Sequence, residues 1–279
     1  MIPLYMNLAP KISVCQFKIS PDKNKNIEKA GKYIIEAVLN KSNIIVLPEC
    51  FVCEYDVTIF EENSECITPI ITESSPAANM LLNCSKKFPD VYIVGGSIIE
   101  KEYEPDTSFK LYNTCLIFHG GKLLSKYRKN NLYKIQMKEH SFSEGDILTA
   151  GHEPTIFETE FGKIGVGICY DIRFPELAKY YQENGCQIII YPGSFNTITG
   201  PKHWKVLQQV RALDNQLFII SCSSACSKGS RYESHGKSYI ISPWGKVVVE
   251  TELDMEQTIS AFLNLEHILS IRKALPILS

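Results

Sequence analysis

A cysteine closing a glycine-spaced apolar run is the residue of this chain best placed to do chemistry. The segment Gly162-Lys-Ile-Gly-Val-Gly-Ile-Cys-Tyr-Asp-Ile-Arg-Phe-Pro-Glu-Leu177 starts as a buried strand. It ends where Pro175 suits the first turn of a helix and Glu176 suits that helix's positive end. Cys169 falls at the turn between them. Such a turn exposes a thiol at the carboxyl edge of a sheet, beside a helix amino terminus that favours the thiolate. The alternative, a buried structural cysteine, would not need a glycine-rich approach.

A thiol nucleophile needs a base. The apolar run Ile44-Ile-Val-Leu-Pro48 delivers Glu49 to the same sheet edge, and Leu123-Leu-Ser-Lys-Tyr-Arg-Lys129 carries another strand into a basic cluster. No histidine stands at a comparable strand end, but a Cys–Glu–Lys set can do the work of the usual Cys–His pair. The glutamate takes and returns the thiol proton, and the lysine charge stabilises the thiolate and a developing oxyanion. Taken singly, each residue has a plainer meaning: Glu49 as a helix cap, Lys129 as part of a solvated cluster with Lys126, Arg128 and Lys134.

Three segments in order, Leu47-Pro-Glu-Cys-Phe51, Tyr127-Arg-Lys129 and Gly167-Ile-Cys-Tyr-Asp-Ile-Arg-Phe-Pro-Glu176, resemble the signatures of the nitrilase-related carbon–nitrogen hydrolases. Tyr191-Pro-Gly-Ser-Phe-Asn-Thr-Ile-Thr-Gly-Pro-Lys-His-Trp204 and Arg211-Ala-Leu-Asp-Asn-Gln216 are similar to the branch holding ω-amidase and deaminated-glutathione amidase. The resemblance runs from about residue 11 to Leu278. It implies catalytic roles for Cys169 (nucleophile), Glu49 (general base and acid) and Lys129 (electrostatic stabiliser). Glu144, in Phe142-Ser-Glu-Gly-Asp146, matches a second glutamate that the family often has beside the nucleophile and joins the catalytic set as the residue that would orient the water, although glutamate before glycine is also an ordinary turn residue. The oxyanion would rest on the Lys129 ammonium and the Tyr170 backbone N–H. Asn131 stands where family members commonly carry a histidine, which bears on how the lysine loop is held.

The elements that must position these residues alternate along the chain. Strands are expected at Lys11–Phe17, Ile44–Leu47, Val91–Ile99 and Tyr112–His119, with a Gly120-Gly121 hairpin into Leu123–Tyr127. Ile27, Ala30, Ile34, Ala37 and Val38 mark a helix closing near Asn40, and a second covers Ala77–Phe88. Further on, strands at Ile156–Phe161 and Lys163–Cys169 form a pair, helices cover Glu176–Asn184 and His203–Asn215, and a strand lies at Ile188–Tyr191. Strands at Leu217–Ser221, Lys237–Ile241, Lys246–Glu250 and Ile259–Asn264 complete the series. The pattern and the resemblance together give an α/β fold, the four-layer α-β-β-α sandwich of the nitrilase-related hydrolases, each half contributing one sheet. Residues 1–279 read as a single carbon–nitrogen hydrolase domain.

The 279 residues carry 29 Lys plus Arg against 31 Asp plus Glu, a balance that argues against nucleic-acid or membrane-surface partners. The first ten residues lack the basic start of a signal peptide, and no apolar run approaches the ~20 residues of a membrane span. Ten scattered cysteines suit a reducing cytoplasm. Cys50, Cys53, Cys222 and Cys226 make a poor zinc set, since Cys50 follows Glu49 and the second pair has no nearby histidine, so neither metal nor cofactor is expected.

The resemblance implies a homodimer formed across a helical face by Glu176–Asn184 and His203–Asn215, with Trp204 and Leu207 assignable equally to the intramolecular core. It implies a small-molecule amide substrate, an α-keto dicarboxylic monoamide such as α-ketoglutaramate. Deaminated glutathione is the alternative, and a catalytically idle binding protein is the reading from another class. A carboxylate-bearing substrate needs a fixed cation or several hydrogen-bond donors. Arg173 is the candidate, unless it pairs with Asp171 or Glu176, and Phe195 and Thr199 are substrate-binding candidates by resemblance. Asn196 and Thr197 lie beside them, and Lys202 adds positive charge nearby.

Overall fold

The structure is a computed structural model, and it describes residues 9–138, 141–229 and 232–278. Strand β1 (Lys11–Gln16) leads through Asp22, whose side chain caps the Lys25 N–H, into helix α1 (Lys23–Leu39). Strand β2 (Ile44–Val46), a short helix α2 (Phe60–Asn63) and helix α3 (Pro76–Lys87) follow. Then come β3 (Tyr92–Val94), β4 (Ile98–Tyr103), β5 (Phe109–His119) and β6 (Lys122–Arg128). A small hairpin, β7 (Lys134–Gln136) with β8 (Ser141–Ser143), precedes β9 (Thr155–Thr159) and β10 (Gly162–Val166). The remainder is α4 (Pro175–Glu183), β11 (Cys186–Gly193), α5 (Lys205–Asn215), β12 (Phe218–Ser223), β13 (Tyr239–Ile241), β14 (Val247–Glu250), β15 (Gln257–Phe262) and α6 (Glu266–Ala274).

These strands form two mixed sheets. One runs β15-β1-β2-β3-β5-β4 with β6 added to β5; the other runs β14-β13-β12-β11-β10-β9. The period-two alternation of β1 to β3 divides its side chains between two environments. Ile12, Val14, Ile44, Val46 and Val94 meet Val166 and Ile190 of the second sheet, while Cys15, Ile45 and Ile93 pack with Ile34 of α1 and Leu81 of α3. On the far side, Ala178 of α4 and Ala212 of α5 cover the second sheet. The packing there is close: a Cβ at Gly165 would sit 2.4 Å from the Tyr181 ring. The result is the expected α-β-β-α layering.

Three expectations need correction, and three features were not expected. The sheets are not one per half, because β15 returns from the carboxyl-terminal part to pair antiparallel with β1. The strand expected at Val91–Ile99 is two strands. Both follow one edge of β5, but the chain kinks at Gly95–Ser97, where Gly96 takes φ +59°. There the Ser97 N–H donates to Pro48 C=O at 3.2 Å, the Ser97 hydroxyl accepts the Cys50 N–H at 2.9 Å, and the Ser97 C=O accepts the Phe51 N–H at 3.3 Å. The kink thus exists to clasp the loop carrying Glu49. The helix expected from His203 begins instead with a π turn, Gly200–Trp204. Finally, α2, α6 and the β7–β8 hairpin had no strong periodic signal.

Trp204 is fully buried inside the chain, its indole N–H donating to the Lys237 C=O at 2.7 Å, and Leu207 packs partly buried against the core. Val206, Val210 and Leu213 of α5 remain exposed on its outer face. Among the described residues no helix is long and apolar enough to cross a membrane.

Candidate active site

Four polar residues from four separate segments meet beneath the sheet edges. Glu49 leaves the end of β2, and Lys129 directly follows β6, its N–H still paired to the Asn113 C=O at 2.9 Å. Glu144 opens a 3₁₀ turn after β8, and Cys169 opens another after β10. Lys129 Nζ lies 2.9 Å from Glu49 Oε1 and 2.9 Å from Glu144 Oε2. Glu49, Lys129 and Glu144 are at most 1 % exposed. The solvated cluster considered for Lys129 therefore does not exist. Lys126 and Arg128, on the same strand, turn instead to Glu100 at 2.5 and 2.8 Å.

Cys169 is 6 % exposed, not displayed on the surface, and takes φ +47°. A 3₁₀ turn (Cys169–Arg173) separates it from α4, so the helix amino terminus does not reach the sulfur. Burial, and then Glu49, hold the thiol well above its ordinary pKa, against the pull of Lys129 and of the Ser194 N–H, which donates to Sγ at 3.4 Å. The expectation of a resting thiolate is corrected accordingly: the neutral thiol is favoured. Burial also raises the Glu49 carboxyl; Lys129 pulls it back, and Glu144 adds to the rise. Burial alone would lower the Lys129 ammonium, but Glu144, Glu49 and Cys169 outweigh it and lift the group well above its ordinary value. Lysine stays charged, while thiol and glutamate are poised to exchange a proton between them.

The carboxylate oxygens are not equivalent. Glu49 Oε1 accepts from Lys129 and from Asn113 Nδ2, both at 2.9 Å. Oε2 is buried without a protein hydrogen bond of ordinary geometry, and the nearby Cys169 thiol lowers the pKa of this carboxyl. Glu144 is fully engaged, by Lys129, the Tyr55 hydroxyl and the Tyr133 N–H.

Asn131, where a histidine was the usual expectation, does hold the lysine loop. Its N–H and its side-chain amide both donate to Asp171 Oδ1, at 2.8 and 2.9 Å. Asp171 Oδ2 accepts the Tyr127 hydroxyl at 2.7 Å and the Ile168 N–H at 2.8 Å. One buried carboxylate thus ties the loop after β6 to the turn bearing Cys169. The first hydrogen bond of that turn, Asp171 N–H to Ile168 C=O at 3.0 Å, leaves the preceding Tyr170 N–H outside its ladder.

A pocket of about 230 Å³ opens over Cys169, lined among others by Tyr170, Arg173, Phe195, Asn196 and Thr199. Arg173 pairs with neither Asp171 nor Glu176; no carboxylate lies within ion-pair distance of it among the described residues. Its guanidinium sits 4.9 Å from the Phe195 ring centre and 3.3 Å from His203 Nδ1. Burial, and then Arg173 and Lys202, lower the His203 pKa, which keeps the ring neutral. Asn196 Oδ1 accepts the Thr199 hydroxyl at 3.0 Å and its N–H at 2.9 Å, fixing that residue at the pocket wall. Thr197 and Lys202 face solvent. Sequence reasoning passed over Tyr55, Asn113, Tyr133 and Ser194. Only Ser194 carried a signal, as the residue after Gly193 at the end of β11.

The carbon–nitrogen hydrolase family model matches residues 11–273. An omega-amidase NIT2 of Xenopus tropicalis is 42% identical over 269 residues, 96% of this chain and 93% of that protein. Saccharomyces cerevisiae omega-amidase NIT3 is 40% identical over 277 residues, 97% of this chain and 93% of its own. The crystal structure of S. cerevisiae Nit3, described as a member of branch 10 of the nitrilase superfamily, superposes with a TM-score of 0.88 at 39% identity, covering 99% of this chain and 97% of that one. A match spanning both sheets and every segment that meets at the buried lysine places the chain in the carbon–nitrogen hydrolase family.

Proposed function

We propose that this protein is an ω-amidase: a thiol amidohydrolase that converts a small α-keto dicarboxylic monoamide, such as α-ketoglutaramate, to the free acid and ammonia. The observation that carries the reading is Arg173, a cation without a carboxylate partner among the described residues, in the same small pocket as Cys169. A neutral amide would not need it; a substrate with a remote carboxylate would. The names of the two relatives above support the same activity.

Cys169 is the nucleophile. As its sulfur attacks the amide carbon, Glu49 accepts the thiol proton, which fits two groups whose neutral forms are both favoured by burial. The oxyanion is held by Lys129 and the Tyr170 N–H; losing one such donor costs on the order of a hundredfold in rate. Glu49 then protonates the departing nitrogen, ammonia leaves, and a thioester remains. Water gives its proton to Glu49, attacks the thioester, and the thiol re-forms with the proton returned. Glu144, with both oxygens engaged, positions Lys129 and is not placed as a second base. The exposed face of α5, with Val206, Val210 and Leu213, supports a homodimer, and ten unpaired cysteines support a reducing compartment such as the cytoplasm.

The test is ammonia release from α-ketoglutaramate, deaminated glutathione and glutamine by wild type and Cys169→Ala. Release from the first, lost in the variant, is expected. Preference for deaminated glutathione would keep the mechanism and change the substrate. Silence on all three would refute the assignment.

A further inference from the structure

Beside the pocket over Cys169 lies a second cavity of about 350 Å³, and Glu49 belongs to this one. Tyr55, Ser194 and Tyr232 form the wall between the two. The division is chemical. The Cys169 side carries Arg173, Phe195 and Thr199, groups suited to an acyl chain with a carboxylate. The Glu49 side sets serine hydroxyls among small apolar and thiol groups, Ile19, Cys50, Cys53 and Ala225. Ser194 Oγ lies 3.2 Å from Ser224 Oγ, which donates to Ser234 Oγ at 3.0 Å, and all three serines are buried. The cavity reaches partly exposed Ile19 and Glu54 at its outer end. At its inner end stands Glu49, whose Oε2 is buried with no hydrogen bond of ordinary geometry and has the Cys169 thiol as its nearby donor.

Once the Cys169 sulfur is acylated it no longer donates, and a buried carboxylate oxygen left without a donor is costly unless a small polar molecule serves it. The three linked serine hydroxyls in the wall of that cavity suit molecules of one or two heavy atoms that both donate and accept. Water and ammonia are such molecules, and each must meet Glu49 during the cycle: ammonia when it leaves, water when it attacks. This cavity offers a route that does not cross the acyl group seated on Cys169.

We propose that this cavity is the site and passage for the small nucleophile and leaving group, separate from the mouth through which the amide enters. The proposal rests on the thioester reading above. In deacylation, water held there forms the new C–O bond as Glu49 removes its proton, the C–S bond breaks, and Cys169 sulfur takes that proton back.

Hydroxylamine, one heavy atom larger than water, competes for the same thioester and gives a hydroxamate. Ala225→Leu adds bulk at the cavity wall, and Ile19→Trp adds bulk from a partly exposed lining position. With α-ketoglutaramate and hydroxylamine, the ratio of hydroxamate to acid is read from whatever fraction of enzyme is active, so partial misfolding does not disturb it. One extra heavy group in a closed site discriminates by about tenfold or more, and the ratio is expected to fall by about that factor in at least one variant. An unchanged ratio in both variants would overturn the proposal and put the nucleophile in the Arg173 pocket. No hydroxamate from the wild type would refute the thioester itself, a failure distinct from that of the passage.

Discussion

Replacing Lys129 with methionine keeps most of the side-chain volume and removes the cation that stands between Glu49 and Glu144. Both contacts are 2.9 Å and both partners are fully buried. Breaking a buried pair by deleting one member costs about 3–5 kcal/mol, because the remaining charge is left uncompensated. Here two carboxylates would share one dry space. The folded state evades part of that cost by binding a proton, so the penalty depends on pH. A carboxyl whose pKa is higher folded than unfolded costs nothing at low pH, and stability is lost as pH rises through the folded value. Glu49 already lies above its ordinary value, and losing Lys129 removes the main influence that restrains it. At about 2 °C per kcal/mol for a chain of this length, Lys129→Met should lower Tm by about 6–10 °C at pH 8 and clearly less at pH 5. Thermal melts across that range read it directly. A Tm loss that is equal at the two pH values, or larger at pH 5, would refute the electrostatic reasoning.

Other perturbations test separate joints of the account. Glu49→Gln should abolish turnover yet speed alkylation of Cys169 by iodoacetamide at pH 8, because Glu49 is the charge that most opposes the thiolate; slower alkylation would contradict this. Arg173→Met should raise KM for α-ketoglutaramate about 10- to 100-fold, the worth of a charged hydrogen bond, while leaving propionamide hydrolysis unchanged. Gly96→Ala places a Cβ 2.0 Å from the Pro48 C=O at a φ of +59°, so the Glu49 loop must move. The strained backbone alone costs about 1–3 kcal/mol, and kcat should fall with stability although the residue touches no substrate. Val210→Asp on the exposed face of α5 should give monomers by light scattering if that face joins two copies; an unchanged mass would exclude it.

The candidate site was legible because its residues sit where regular patterns stop. Glu49 ends a run of buried apolar residues, Lys129 ends a strand running into a basic cluster, and Cys169 ends a glycine-spaced one, so pattern marks the three strand ends and the resemblance to the family singles out these residues there. What was not legible depends on contacts distant in sequence. Tyr55 and Tyr133 reach the site through loops without periodicity, and nothing local in Asn113 distinguishes it from its strand neighbours. The state of the thiol was misread for a related reason: local sequence suggests a helix amino terminus, but burial beside Glu49 decides the proton's place. In the fold, β3 and β4 read as one strand because they do follow one edge of β5, although Gly95-Gly-Ser97 interrupts the apolar run where the chain kinks. The return of β15 to β1 is a matter of pairing across the whole chain, which no window of sequence records.

The claim at the centre is a covalent acyl-enzyme on one named sulfur. Acid-quenching the protein during turnover of α-ketoglutaramate and mapping the adduct by peptide mass tests it most directly. The account predicts an added 4-carboxy-4-oxobutanoyl group on the peptide carrying Cys169 and on none of the other nine cysteines, absent from Cys169→Ala. Steady ammonia release with no adduct on Cys169, or an adduct on another cysteine, would contradict it.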